Sequence, residues 1–189
     1  MRAAFIAMRP LLLHPDCRCE AVERIAAEVT GSSPAGLVVR YFVAGDIRGL
    51  SLPLPSGPTR TDELWRHSCF ELFLRAGEAD AYYEFNFSPS LQWAAYRFDN
   101  YRQGMRMVEM PAPRIEMRQD GDIFELQAAL ALDMLLEPDG EADWNLALSA
   151  IIEERNGQIS YWALAHPSGK PDFHSPNTFA LSLPIQIRS

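Results

Sequence analysis

Leu64–Arg75 reads LWRHSCFELFLR, and Tyr82–Arg102 reads YYEFNFSPSLQWAAYRFDNYR. Both runs alternate apolar and polar residues with a period of two, and a Ser-Pro-Ser turn divides the second. Such alternation marks β-strands with one buried face. In Cys69–Arg75, Phe70, Leu72 and Leu74 share one face, leaving Glu71, Phe73 and Arg75 on the other. In Tyr82–Phe87, Tyr83, Phe85 and Phe87 point to the core, while Tyr82, Glu84 and Asn86 point outward. Beyond the turn, Tyr96 and Phe98 lie opposite Trp93 and Arg97. A two-residue Pro89-Ser90 loop would put Trp93 and Arg97 beside Asn86 and Tyr82 on the polar face. A one-residue slip would bury Trp93 instead.

The same rhythm extends through the chain. Strands are expected at Phe5–Leu13, Ala21–Val29, Leu37–Val43, Ser68–Arg75, Tyr82–Phe87, Gln92–Phe98, Arg114–Arg118, Ile123–Leu132, Asn145–Glu154, Ile159–Ala165 and Thr178–Leu183. Phe124, Leu126, Ala128, Leu130 and Leu132 form one core face, and Trp144, Leu146, Leu148, Ala150 and Ile152 another. CEAVERIAAEV (residues 19–29) also has helical propensity, but a Gly-Ser-Ser-Pro-Ala-Gly turn and the β-rich LVVRYFV follow it as in a hairpin. Asp133–Leu136 could close its strand with one helical turn. LPLPSGP (residues 52–58) is a loop too short to separate domains. The expected fold is all-β, a single antiparallel β-sandwich domain over residues 1–189.

With 189 residues, 48% of them hydrophobic, the chain can bury a substantial core. The net charge of -8 argues against a partner such as nucleic acid, which needs concentrated basic surface, and against anionic membranes. Three cysteines, Cys17, Cys19 and Cys69, make no even disulfide framework and read as reduced thiols. A Cys-x-Cys metal site with His14 is a weak signal. MRAAFIAMRPLLLHPD is interrupted by Arg9 and Pro10 and has no small-residue cleavage site, so a cytoplasmic location is expected.

The outward residues Glu71, Glu84, Asn86 and Arg97, with Trp65 nearby, either line a shallow concave site or form a solvated face with cross-strand ion pairs. An aromatic platform beside carboxylate, amide and guanidinium suits a sugar, whose C–H face stacks and whose hydroxyls take paired hydrogen bonds. AHPSGKPDFH (residues 165–174) offers an alternative metal or acid–base site at His166, Asp172 and His174, or a lid capped by the same side chains. His67 and Cys69 share a face but lack an orienting third group. Glu153-Glu154 precede Asn156-Gly157, a hairpin turn. No phosphate loop, Gly-x-Ser-x-Gly or His-Glu-x-x-His is present.

LWRHSCFELFL, the YYEFNF to NYR run and SYWALAHPSGKPDFHSPNTFALSLP (residues 160–184) together resemble the DOMON-like fold, and more closely bacterial single-domain proteins related to family-nine carbohydrate-binding modules. The resemblance implies a two-sheet sandwich that holds a sugar between aromatic walls. Trp65 would be one wall, Glu71 the acid and Arg97 the guanidinium. Phe179 would stand where a second tryptophan is usual, with Asn177 close by. It also implies a structural calcium, for which no acid set matches here, and His67 stands where an aspartate is common. Other DOMON-like domains bind haem, and no Met/His axial pair is found. The expected function is non-catalytic recognition of a saccharide or similar polyhydroxylated molecule by Trp65, Glu71, Asn86, Arg97, Asn177 and Phe179. The alternatives are a metal-dependent hydrolase using His166, Asp172 and His174, and a protein–protein adaptor.

Overall fold

A computed structural model of the chain describes residues 5–32, 36–132 and 143–183. Among the described residues twelve strands are formed: β1 (Phe5–Leu13), β2 (Val22–Ser32), β3 (Gly36–Gly45), β4 (Cys69–Ala76), β5 (Tyr82–Phe87), β6 (Trp93–Phe98), β7 (Arg106–Met107), β8 (Arg114–Asp120), β9 (Ile123–Ala131), β10 (Trp144–Glu153), β11 (Ile159–Ala163) and β12 (Leu181–Leu183). The pairings between these strands are antiparallel. One sheet, A, runs β1-β2-β3-β9-β8, and the other, B, runs β7-β6-β5-β4-β10-β11. The expected β-sandwich is what forms.

β1 belongs to both sheets. Its first part pairs with β2, through contacts such as Leu11 with Ile25, and its last two residues pair Leu12 with Ala163 and Leu13 with Trp162 on β11. β12 lies along the same edge of β10 as β11, farther toward Trp144. Within residues 19–29, Val22–Val29 form strand rather than helix, because alternate side chains Ile25, Ala27 and Val29 enter the core. The expected last strand shortens to Leu181–Leu183, preceded by a 3-10 turn at Pro176–Thr178. The expected turn at Asp133–Leu136 lies outside the described residues. Gly157, at φ 85°, completes the β10–β11 hairpin at Asn156-Gly157.

Two apolar cores form among the described residues. The larger lies between the sheets and holds Phe70, Leu72, Leu74, Phe85 and Phe87 with the alternating residues of β3, β9 and β10. The smaller lies on the outer face of sheet B, where Cys69, Phe73, Tyr82, Tyr96, Phe98 and Ile151 are covered by Leu64 and Phe173. β10 is therefore buried on both faces for most of its length. Loops fold back over a sheet face that alternation alone assigns to solvent.

Tyr41 links the sheets. It is fully buried on β3, and its hydroxyl donates to the Glu71 backbone carbonyl on β4 at 2.6 Å. Tyr41→Phe leaves that carbonyl without this donor and should cost about 1 kcal/mol in urea unfolding. An unchanged midpoint would show that the bond contributes nothing net.

Candidate functional site

A cleft of about 360 Å3 opens over the smaller core. That volume sits near the lower end of the ~300–1,000 Å3 range of small-molecule sites. Its floor includes Glu71 from β4, Glu84 from β5 and Ile151 from β10. Tyr96, Phe98, Tyr161, Phe173 and Trp65 make aromatic walls, with Arg102 and His174 between them. Trp65 stands on a short 3-10 turn, Leu64–Arg66, entered through Glu63 in the left-handed region at φ 61°. Its indole meets Tyr96 edge-on at 6.4 Å and stays 37% exposed, so part of the ring remains open for stacking. Tyr96 is held in turn by its hydroxyl, which donates to Asp62 at 2.6 Å.

Glu71 and Glu84 are both buried, at 3% and 5% exposure. The parity of the strands dictates this: Glu71 pairs across with Asn86 and with Ser149, and Glu84 with Tyr96, all on the outer face of sheet B. Ser149 donates to Glu71 Oε2 at 3.0 Å, and Asn86 Nδ2 donates to Glu84 Oε1 at 2.7 Å. Asn86 is itself held against the buried Cys69 thiol, with 3.6 Å between Sγ and Oδ1. Burial pushes both carboxyls well above the usual range, and for Glu71 the neighbouring Glu84 adds to the shift. The pair therefore favours keeping protons that surface acids release.

The rest of the cleft is a hydrogen-bonded chain. The Arg102 backbone N–H donates to the Tyr82 hydroxyl at 3.2 Å, and that hydroxyl lies 2.8 Å from His174 Nδ1. Tyr82 accepts from Arg102 and shares a second hydrogen bond with Nδ1 whose direction follows the imidazole tautomer, and Nε2 lies 3.7 Å from Glu84 Oε2. Burial first, then the Arg102 charge, pushes His174 down to about 4, so the ring is neutral at physiological pH. The Arg102 guanidinium donates to Asp172 at 2.7 Å, and Tyr101 donates to the same carboxylate at 2.7 Å. Arg102, at φ 53°, holds a left-handed conformation that non-glycine residues rarely adopt.

Trp65 and Glu71 reach one cleft, and Asn86 supports Glu84 from below. The other expected site residues lie elsewhere. Arg97 sits opposite Tyr83 on the other face of sheet B and pairs with Asp99. The turn explains it. The β5–β6 loop has three residues, Pro89-Ser90-Leu91, closed by Ser88 and Gln92, with Leu91 at φ 71°. This extra residue shifts the register by one, buries Trp93 against Phe87 and turns Arg97 away. Arg102 occupies the cleft instead. Phe179 packs behind the cleft on Phe73 and Tyr82, with Arg75 over its ring, and Asn177 is exposed on its 3-10 turn. Neither lines the cavity.

The alternative metal set is not assembled. Asp172 is taken by Arg102 and Tyr101, and His174 faces Tyr82. His166 instead bonds the Leu12 carbonyl at 2.7 Å and meets His14 edge-on at 4.8 Å. Among the described residues no three His, Cys, Asp or Glu side chains are grouped to hold a metal. His14, Cys17 and Cys19 are likewise not grouped. His67 and Cys69 diverge too, since His67 pairs with Glu153 at 2.8 Å while the thiol is buried.

No known family profile matches the chain, and neither does any curated protein sequence. Solved structures do. A protein of Bacteroides uniformis, provisionally described as carbohydrate-binding, superposes with a TM-score of 0.65 at 13% identity, over 92% of this chain and 84% of its own. Two structures of a family 9 carbohydrate binding module from Caldicellulosiruptor kristjanssonii also match. The complex with glucose gives a TM-score of 0.47 at 11% identity, over 90% of this chain and 75% of that one. The complex with cellotriose gives 0.42 at 12%, over 88% and 74%. The similarity to the Bacteroides protein establishes a shared sandwich fold.

Proposed function

We propose that the chain is a non-catalytic binding module whose cleft takes one unit of a saccharide or a similar polyhydroxylated molecule. The carrying observation is the juxtaposition of the half-exposed Trp65 indole with two buried carboxyls that open into the same cavity. A pyranose stacks its C–H face on the indole. Its hydroxyls then meet Glu71, Glu84 and the Arg102 guanidinium. The provisional description of the fold-sharing Bacteroides protein agrees with this reading. The DOMON-like kinship, and a cytoplasmic rather than exported ligand, belong to the same proposal.

Calorimetric titration with monosaccharides and short oligosaccharides tests it. Wild type should bind at least one of them, and Trp65→Ala should weaken that binding by about 1–3 kcal/mol. Arg102→Ala should weaken it as well. Arg97→Ala, on the opposite sheet face, should not. The proposal fails if no saccharide binds, or if Trp65→Ala and Arg102→Ala both bind as wild type does.

A further inference from the structure

The two buried acids of the cleft have free hydrogen-bonding capacity. Arg102 lines it, but its guanidinium is committed to Asp172 at 2.7 Å. His174 is neutral, with Nδ1 on Tyr82. The Arg102 charge reaches Glu71 and Glu84 through space, but among the described residues neither carboxyl has Lys or Arg in hydrogen-bond contact. Each spends one oxygen on a neutral donor, Ser149 for Glu71 and Asn86 for Glu84. Among the described residues nothing hydrogen-bonds Glu71 Oε1, and the nearest ion-pair donor to Glu84 Oε2 is His174 at 3.7 Å, beyond a normal hydrogen bond. Buried acids are ordinarily paired or fully hydrogen-bonded. Here the unpaired acceptors belong to side chains more than nine-tenths buried, and both residues line the cleft.

A hydroxyl brings one donor and no charge. An ammonium brings three donors and one positive charge, and aromatic faces attract it. The walls supply such faces in Trp65, Tyr96, Phe98 and Phe173. A metal ion would want several oxygen ligands, and the cleft offers two carboxyl groups. We propose that the ligand is an amino sugar with a free amine, whose ammonium lies between Glu71 and Glu84 while its ring rests on Trp65. This rests on the saccharide-binding reading above and names the substituent that reading leaves open. Burial is the first cause that keeps both acids protonated above the ordinary carboxylate range, and an ammonium between them would favour their ionised forms. The titrating or charged groups facing them are Arg102, His174, Tyr41, Tyr82, Tyr96 and Cys69.

Glucosamine, glucose, N-acetylglucosamine and ethanolamine, each titrated into the purified chain at about pH 7, separate the outcomes. Glucosamine should bind at least about tenfold more tightly than glucose, a gap expected of one charge-assisted contact. N-acetylglucosamine, with its amine blocked, should show no such gain. Glu84→Gln, with its fold checked by circular dichroism, should bring the glucosamine-to-glucose affinity ratio close to one, and Glu71→Gln serves if that variant does not fold. Equal affinity for glucose and glucosamine overturns the amine inference and leaves saccharide binding intact. Ethanolamine binding as tightly as glucosamine overturns the sugar half. Binding of none of the four by wild type overturns this inference, and the wider saccharide titration then decides the reading beneath it.

Discussion

Glu71→Gln should make the protein more stable above neutral pH, by about 2–4 kcal/mol at pH 8, an estimate from a shift of a few units at 1.36 kcal/mol each. In the unfolded chain Glu71 ionises in the ordinary carboxylate range. In the fold, burial first and Glu84 second raise it, and Glu84 is raised by burial as well. Below the unfolded value both states hold the proton and folding carries no penalty. As pH rises, the unfolded state releases protons that the folded state keeps. Stability is therefore lost progressively until the folded acids ionise too. Glutamine fills the same space, still accepts from Ser149 and has nothing to ionise. Urea midpoints across pH 5 to 9 should fall for wild type and flatten for the variant. His174 acts oppositely: its folded value of about 4 removes stability as pH drops below the ordinary histidine range. A variant less stable at pH 8, with an undiminished slope, would mean that Glu71 is charged in the fold. Such a gain alongside a loss of ligand affinity is the usual relation between a strained site and its scaffold.

Gly45→Ala should lose about 3 kcal/mol or more, the scale of a clash that backbone cannot relieve. Gly45 ends β3 at φ 146°, a conformation that side chains disfavour. A Cβ there would run into the Ala21 carbonyl and come within 3.0 Å of Glu23 N and Val22 Cα. All three atoms are backbone in or beside the irregular start of β2, where the pairing with β3 shifts register. The surroundings are also tied down, since Gly45 N–H donates to Asp122 and Asp46 N–H to Ala21. The expected readout is a large drop in urea midpoint with an unchanged slope. A loss below about 1 kcal/mol would show that the β2 start yields easily.

The strands were legible because their chemistry repeats with the pleat. Trp144 to Ile152 and Phe124 to Leu132 alternate without a break, and both sets are core. The same parity brought Glu71, Glu84 and Asn86 to one face. Two physical facts were hidden. Leu91 takes a positive φ that leucine disfavours, so nothing in Ser-Pro-Ser-Leu announces a three-residue loop, and a single added residue moves Trp93 and Arg97 together from the outer to the inner face. The second is the covering of sheet B by loops. Phe173 and His174 reach Phe98 and Tyr82 through contacts between distant segments, and no local period encodes those. Arg102, in an irregular loop, was missed for the same reason. Its neighbour Tyr101 and the left-handed backbone give it a place only once the fold exists.

The shared strand β1 has a consequence for biosynthesis. Leu12 and Leu13 find their partners on β11, at Ala163 and Trp162. A ribosome adding roughly 5–20 residues per second reaches that strand on the order of 10–30 s after β1 emerges. Throughout that interval the nascent chain carries an unmatched strand end and an incomplete sheet B, the state most exposed to association with other chains. Assembly of this sandwich is accordingly a late event in translation, closed by the C-terminal third rather than begun by the N-terminal strand.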